Sequence, residues 1–412
     1  MKSVIIIGSG IMGLYSAYYL NKEGYEVTIL EKESKPSGAS PGNAGMIVPS
    51  HFMPMASPGM ISKGFRWMFD KESPFYIQPK PSLDLLSWGW KFYKAARHEK
   101  FLERAKILSD LNKESRVLHE EVIVSEMLRV GFQTKGLISF CKTKAVFKEE
   151  IETAEQANRL GIEARVLSVE EARNLNPGLE LDIAGGIYYP GDAFLTPNNL
   201  IDQLRNLLET RGVNFEFNRG VKKINTKGRK ILEVQTERET YSADHYLICA
   251  GAWSSVLAGS IGITLTMQAG KGYSFTLPNP TVMPETCSIL TEARVAVTPM
   301  LHGLRFAGTM EMAGLDESIT RSRIQGIMRA VPSFFPQFSG EEFKGLELWA
   351  GLRPCSPDGL PYVGRTGHYD NLSFATGHAM LGLSLGAVTG KMVTRELTSN
   401  FPVHPFLNPD RT

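Results

Sequence analysis

The chain opens on a run of apolar, β-branched residues, Val4-Ile5-Ile6-Ile7, with no polar position among them. Such a run predicts a strand buried on both faces, as in a parallel sheet. Gly8-Ser9-Gly10-Ile11-Met12-Gly13 follows at once, and then Leu14, Ala17, Tyr18 and Leu20 recur at helical spacing until Gly24. The spacing predicts a helix stopped by that glycine. A second buried strand, Glu26-Val27-Thr28-Ile29-Leu30, ends at Glu31. Two later apolar runs, Tyr246-Leu247-Ile248-Cys249 and Leu372-Ser373-Phe374-Ala375, also end in small residues, the second leading to a Gly-rich helical segment from Gly382. Elsewhere the period changes: 102–124 and 148–160 read as amphipathic helices, and 134–142, 295–299 and 304–309 as alternating strands. Pro and Gly clusters at 276–286 and 352–367 predict turns.

The first unit carries recognisable chemistry. Gly8 suits a tight turn, Gly10 the approach of backbone to a pyrophosphate, and Gly13 close packing of helix on strand. The helix N-terminus offers N–H groups and a partial positive charge to phosphates. Glu31 is placed to accept both ribose hydroxyls and would repel a 2′-phosphate. This fingerprint fits NAD and FAD alike. The segment Ser37-Gly38-Ala39-Ser40-Pro41-Gly42-Asn43-Ala44-Gly45 points to FAD, because its small residues suit a backbone lying along an extended ligand. Three strand-to-glycine ends scattered along the chain predict one long cofactor touched from several places.

Composition narrows the field further. At 412 residues and 42% hydrophobic content, two or three cores are expected. A net charge of +2 gives no field that would draw nucleic acid. Cys141, Cys249, Cys287 and Cys355 are scattered, which predicts neither a metal site nor a disulfide framework. The opening apolar run is too short for a secretory signal, and no stretch is long enough to span a membrane. The reading is a reduced, cytoplasmic protein, or one held on the inner face of the membrane.

At this point whole segments become recognisable. SGASPGNAG with PSHFMPMASPG, then GIYYPGDAFLTP, CAGAWS, AGKGYSF, WAGLRPCSPDGLPYVGR and ATGHAMLGLSLGAVTGK resemble the FAD-dependent D-amino acid oxidase superfamily, and within it the bacterial D-amino acid dehydrogenases. The resemblance implies an α/β Rossmann-type FAD-binding domain interleaved with an α+β substrate domain on a mainly antiparallel sheet. The first would gather 1–50, 195–261 and 346–412, the second 51–194 and 262–345. It implies non-covalent FAD held by Gly8, Gly10, Ile11, Met12, Gly13, Glu31, Lys32, Ser40, Asn43, Ala44, Gly45, Val221, Ala250, Gly251, Trp253, Gly351, Arg353, Gly377, His378, Met380, Leu381 and Gly382. Cys355 is displaced from the position that carries a covalent flavin in relatives.

For the reaction, the resemblance implies hydride transfer from Cα of a small D-amino acid, cyclic ones such as D-proline or hydroxy-D-proline included, to flavin N5, giving the imino acid. Arg353 is matched to the arginine that binds the substrate carboxylate, where a guanidinium offers a planar two-point fork. Tyr273 could donate to the same carboxylate, although a half-buried sheet tyrosine reads the same way. His51 and His378 are the histidines nearest the flavin-contacting segments and so candidates for catalysis; Tyr188 and Tyr189 are weaker candidates for lining the site. The helix from Gly382 could aim its N-terminal dipole at the negative edge of reduced flavin.

A glycine- or sarcosine-type oxidase using oxygen is the alternative, yet glycine oxidases carry an arginine after the Gly-His pair where this chain has Met380. A dehydrogenase passes electrons to a quinone or carrier protein. That gives interest to the stretch 63–104, where Lys63, Arg66, Lys71, Lys80, Lys91, Lys94, Arg97, Lys100 and Arg104 interleave with Phe65, Trp67, Phe69, Trp88, Trp90, Phe92 and Tyr93. It suits peripheral contact with an anionic membrane. Lysines snorkelling over a helical core face give the same pattern.

Overall fold

The computed structural model describes residues 2–35, 38–57, 75–77, 83–97, 100–338 and 340–411. Two large sheets organise it. The first runs Tyr362–Arg365, Leu372–Thr376, His245–Ile248, Ser3–Ile7, Glu26–Leu30, Asn214–Glu216. Its pairings are parallel except at the Tyr362–Arg365 edge. As the unbroken apolar run requires, Ser3–Ile7 is buried on both faces. Val4 and Ile6 pack with helix Ile11–Lys22 on one side, and Ile5 and Ile7 pack with Ile224, Ile231 and Val234 on the other.

The C-terminal helix Gly382–Ser399 lies against Ile11–Lys22, and glycine permits the closeness: a Cβ on Gly390 would sit 2.6 Å from the Tyr15 carbonyl. The long helix Phe101–Ser125 packs on the same pair through buried polar groups. Ser384 Oγ donates to Asn112 Oδ1 at 2.8 Å, and the His119 ring bridges Tyr15 Oη and the Leu383 carbonyl at 2.7 and 3.0 Å. Sequence grouped this helix with the substrate half of the chain; its packing is on the nucleotide-binding side.

The second sheet has nine strands, in the order Leu348–Cys355, Gln268–Leu277, Gly303–Met312, Val295–Met300, Cys287–Leu290, Leu137–Cys141, Gly185–Tyr189, Arg165–Leu167, with Phe75–Ile77 paired to Gly303–Met312. It is antiparallel except where Cys287–Leu290 meets Leu137–Cys141 and where Phe75–Ile77 joins. Helix Arg321–Phe334 and a cluster of Phe275, Phe306, Phe338 and Phe343 cover one face. The turns expected over 352–367 are a correction: Leu348–Cys355 and Tyr362–Arg365 are strands, with turns only between them. Cross-strand bonds along Gln268–Leu277 outweigh the local signal of Pro354. That pairing also takes Leu348–Cys355 into the second sheet, although sequence grouped it with the first.

Candidate active site

The two sheets meet at a cleft of about 1390 Å³, larger than the roughly 300–1,000 Å³ of a pocket for one drug-sized ligand. One wall is largely backbone. Gly8 has φ +108°, and a Cβ there would meet the Cys249 carbonyl oxygen at 2.6 Å. Gly10 caps the helix with no side chain, and the cleft runs past it and past Ile11 and Met12. Ser40 Oγ accepts from the Ile11 N–H at 3.2 Å, showing the helix N-terminus receiving an oxygen. Ala250, Gly251, Trp253, Val221, Met380, Leu381 and Gly382 continue this wall. Lys32 lies 3.7 Å from the centroid of the Trp253 ring.

The buried Glu31 carboxylate is already engaged. Ser9 donates to Oε2 from its N–H and its hydroxyl, at 2.9 and 2.6 Å, and the Glu33 N–H donates to Oε1 at 3.1 Å. A carboxylate has about four acceptor sites. One further donor fits here, rather than the two ribose hydroxyls expected from sequence. The glycine-rich loop is tied down from the second sheet: Arg305 Nη1 donates to the carbonyls of Pro41 and Asn43, both at 2.9 Å, and Ser274 Oγ donates to that of Gly42 at 2.9 Å. Burial pulls Arg305 down to about 10. Ser40, Asn43 and Ala44 line the cleft. Four of the expected cofactor glycines instead shape it from behind. A Cβ on Gly13 would lie 2.1 Å from the Gly8 carbonyl oxygen, on Gly45 2.3 Å from that of Leu195, on Gly351 2.1 Å from the Trp349 ring, and on Gly377 2.8 Å from the Tyr362 ring.

The other wall is made of side chains. Arg353 lies flat on Gly272, where a Cβ would be 2.1 Å from Cζ, and its Nη1 donates to the Thr309 carbonyl at 2.6 Å. Thr309 is part of a bulge, where the register of Gln268–Leu277 against Gly303–Met312 slips, and it has φ +66°. A β-branched residue in that region is strained, the kind of irregularity that clusters at functional sites. One guanidinium donor is thus anchored and the rest of the half-buried group borders the cleft, its pKa lowered by desolvation. Trp349 spans Gly42 and Gly351 beside it.

The histidines differ. Both line the cleft. His378 Nε2 is 3.0 Å from Thr389 Oγ1, its buried Nδ1 has no partner among the described residues, and burial pushes the ring down to about 3. His51 Nδ1 is 3.1 Å from Ser50 Oγ, and burial, with Arg294 adding to it, lowers that ring to about 4. Tyr273 is a correction. Strand alternation turns it away from the cleft into the phenylalanine core, where its hydroxyl donates to Glu311 Oε2 at 2.5 Å and its pKa is raised by burial and that bond. Tyr189 lines the cleft, whereas the Tyr188 hydroxyl donates to the Lys135 carbonyl. Cys355 is buried away from it, its thiol pushed up to about 12 by desolvation.

Sequence missed Arg305, Thr309, Trp349 and the buried Asp192, of which only Asp192 left a signal, as a lone acid in an apolar segment. Of the basic and aromatic stretch, Lys63, Phe65, Arg66, Trp67, Phe69, Lys71 and Lys80 lie outside the described residues, as does Ser37. Within it Trp88 is core, donating its indole N–H to the Cys355 carbonyl at 2.8 Å, while Trp90 is 59% exposed. Among the described residues no helix is long and apolar enough to cross a membrane.

Comparison with known proteins agrees with this geometry. The D-amino acid dehydrogenase of Vibrio vulnificus is 32% identical, with 98% of each chain covered. The glycine oxidase of Geobacillus kaustophilus shares the fold at a TM-score of 0.77 and 21% identity over 100% of both chains. The L-proline dehydrogenase of P. horikoshii does so at 0.73 and 18%, covering 99% of this chain and 96% of its own. The family model described as FAD dependent oxidoreductase matches residues 3–396, and the chain belongs to that family of flavoenzymes.

Proposed function

We propose that this flavoenzyme is a dehydrogenase of small D-amino acids, with D-proline and hydroxy-D-proline among its substrates, and that it yields the imino acid. The observation that carries the reading is Arg353. It is a guanidinium fixed at one end by the Thr309 carbonyl, flat on a glycine, and bordering a cleft whose opposite wall is largely backbone. A fork so held suits a carboxylate and sets the Cα–H of the bound acid in one orientation. The near-full-length likeness to a D-amino acid dehydrogenase supports the choice of substrate class.

The residues fit FAD: the Gly8–Gly13 turn gives its pyrophosphate a helix N-terminus, Glu31 keeps one acceptor site for the ribose, and Ser40 to Ala44 and Ala250 to Trp253 give it backbone to lie along. Bound FAD supplies the acceptor for the hydride that leaves Cα. The chain's own part is to clamp the carboxylate through Arg353, to bring the amine to its neutral form, and to keep water out with Trp349 and Leu381. A quinone or carrier protein is the proposed electron acceptor.

The test is anaerobic bleaching of the flavin across a panel of D- and L-amino acids. Reduction by D-proline and small D-amino acids, with L-isomers inert, is expected, and the reverse order overturns the reading. Turnover with a dye or quinone should then far exceed oxygen uptake; stoichiometric peroxide at a comparable rate would make the enzyme an oxidase.

A further inference from the structure

Behind His51 lies a buried polar chain. Asp192 is fully buried beside Tyr189 and Cys287. Its Oδ1 accepts the Ser50 backbone N–H at 3.0 Å and its Oδ2 accepts the Ser50 hydroxyl at 2.5 Å. In its ionised form the carboxylate accepts at both oxygens, as this arrangement allows. With Asp192 ionised, the hydroxyl proton of Ser50 goes to Asp192, and at the 3.1 Å contact His51 Nδ1 is then the donor. The neutral ring then carries its lone pair on Nε2, and His51 is one of the residues that line the cleft.

We propose that His51, Ser50 and Asp192 form a proton relay that takes the proton from the substrate ammonium and stores it on Asp192. It rests on the amino acid reading above. The substrate N–H bond breaks as Nε2–H forms, Nδ1 passes its proton to Ser50 Oγ, and the Ser50 hydroxyl proton moves to Asp192 Oδ2. Three bonds to hydrogen break and three form, no electrons are exchanged, and the products are a neutral amine and a neutral carboxylic acid. Transfer ends there because burial pushes Asp192 up to about 7, where a carboxylate competes for a proton near neutral pH. Arg116 opposes that rise, and Tyr189 and Cys287, both held neutral by burial, face the carboxylate. Arg294 beside His51 disfavours a lasting imidazolium, so the proton is passed on rather than kept.

The sign is definite. Only ionised Asp192 can receive the proton, so an amino acid should bind more tightly as pH rises through about 7 and level off above it. The probe is 2-aminoisobutyrate, which has no Cα–H and cannot react, with isobutyrate as its amine-free control, both titrated into the holoenzyme by calorimetry from acid to neutral pH. For the wild type, the dissociation constant of aminoisobutyrate should fall about tenfold per pH unit below the midpoint, with no such step for isobutyrate. Asp192→Asn and Ser50→Ala should each abolish the step, and Ser50→Thr, which keeps the hydroxyl, should restore it. Persistence of the step in Ser50→Ala, or an equal step for isobutyrate, overturns the relay alone, and Ser50→Ala decides even where Asp192→Asn does not fold. Failure of the wild type to bind aminoisobutyrate at any pH, with isobutyrate still binding, overturns the amino acid reading and the relay with it.

Discussion

The two walls of the cleft do different physical work. The wall at the carboxyl ends of the parallel strands holds by backbone. Gly8, Gly10, Gly251 and Gly382 line it. The facing wall holds by side chains, Arg353 and Trp349 from the antiparallel sheet and His51 from the loop after Met46–Ile47. A long cofactor shared by many enzymes needs shape and N–H groups, which backbone provides at fixed positions. A small substrate needs charge and orientation, which only side chains supply. Substitutions on the first wall should therefore cost cofactor, and on the second, turnover with the cofactor in place.

The largest effect is expected from Gly13→Val. Its Cβ would lie 2.1 Å from the Gly8 carbonyl oxygen, and neither backbone segment can yield cheaply. The cost exceeds the roughly 1–3 kcal/mol of ordinary overpacking. Purified protein should be colourless or unfolded, read from flavin absorbance per chain. A fully yellow variant would show that helix and strand separate freely there.

Arg353→Ala tests the other wall. Catalytic efficiency should fall by about 100- to 5000-fold, roughly 3–5 kcal/mol of transition-state stabilisation. Flavin content should stay close to the wild type. Arg353→Lys keeps the charge, loses the fork, and should lie between. Amino acid amides should lose far less than the acids. Equal losses would make Arg353 a structural residue tied to Thr309 and nothing more.

Glu31→Ala should weaken FAD retention by roughly 1–3 kcal/mol, the scale of one charged hydrogen bond. Ser9 and Glu33 would also lose the acceptor that holds them. Dialysis against rising salt, followed by measurement of flavin, reads the loss, and turnover at saturating FAD should recover. A permanent loss of turnover would place Glu31 in the folding core instead.

The same contrast explains what was legible in the sequence. Backbone walls leave local marks, glycine at set intervals after a strand, so residues 3–31 could be read almost completely. Side-chain walls are built from distant segments. Arg305 holds residues 41–43 from some 260 positions away, and no spacing shows it. The bulge that bends Thr309 toward Arg353 depends on register between two strands. Arg353 itself is legible only through the resemblance of its segment, and that same segment reads as a turn because its proline and glycines hide a paired strand. Asp192 is an acid among apolar neighbours, a signal visible in sequence, though its link to His51 through Ser50 is not.

The smallest effect on activity is expected from Tyr273→Phe, and it is the sharpest test of which face of strand Gln268–Leu277 belongs to the cleft. Gly270, Gly272 and Ser274 lie on one face, against Met310, Arg353 and the Gly42 carbonyl. Tyr273 and Phe275 lie on the other, in the phenylalanine core. Removing the hydroxyl takes a donor from the buried Glu311 carboxylate, and from the Thr320 N–H the acceptor it has at 3.4 Å. Leaving such a group unsatisfied costs about 1–3 kcal/mol. The midpoint of urea unfolding should therefore drop, with kcat/KM for a D-amino acid unchanged within about twofold, well under the ~1.4 kcal/mol that a tenfold change represents. Were Tyr273 a carboxylate ligand beside Arg353, the pattern would invert, with stability kept and KM raised at least tenfold. That inversion would mean the strand is rotated by one residue relative to its partners, and Gly272 would no longer be the surface on which Arg353 lies.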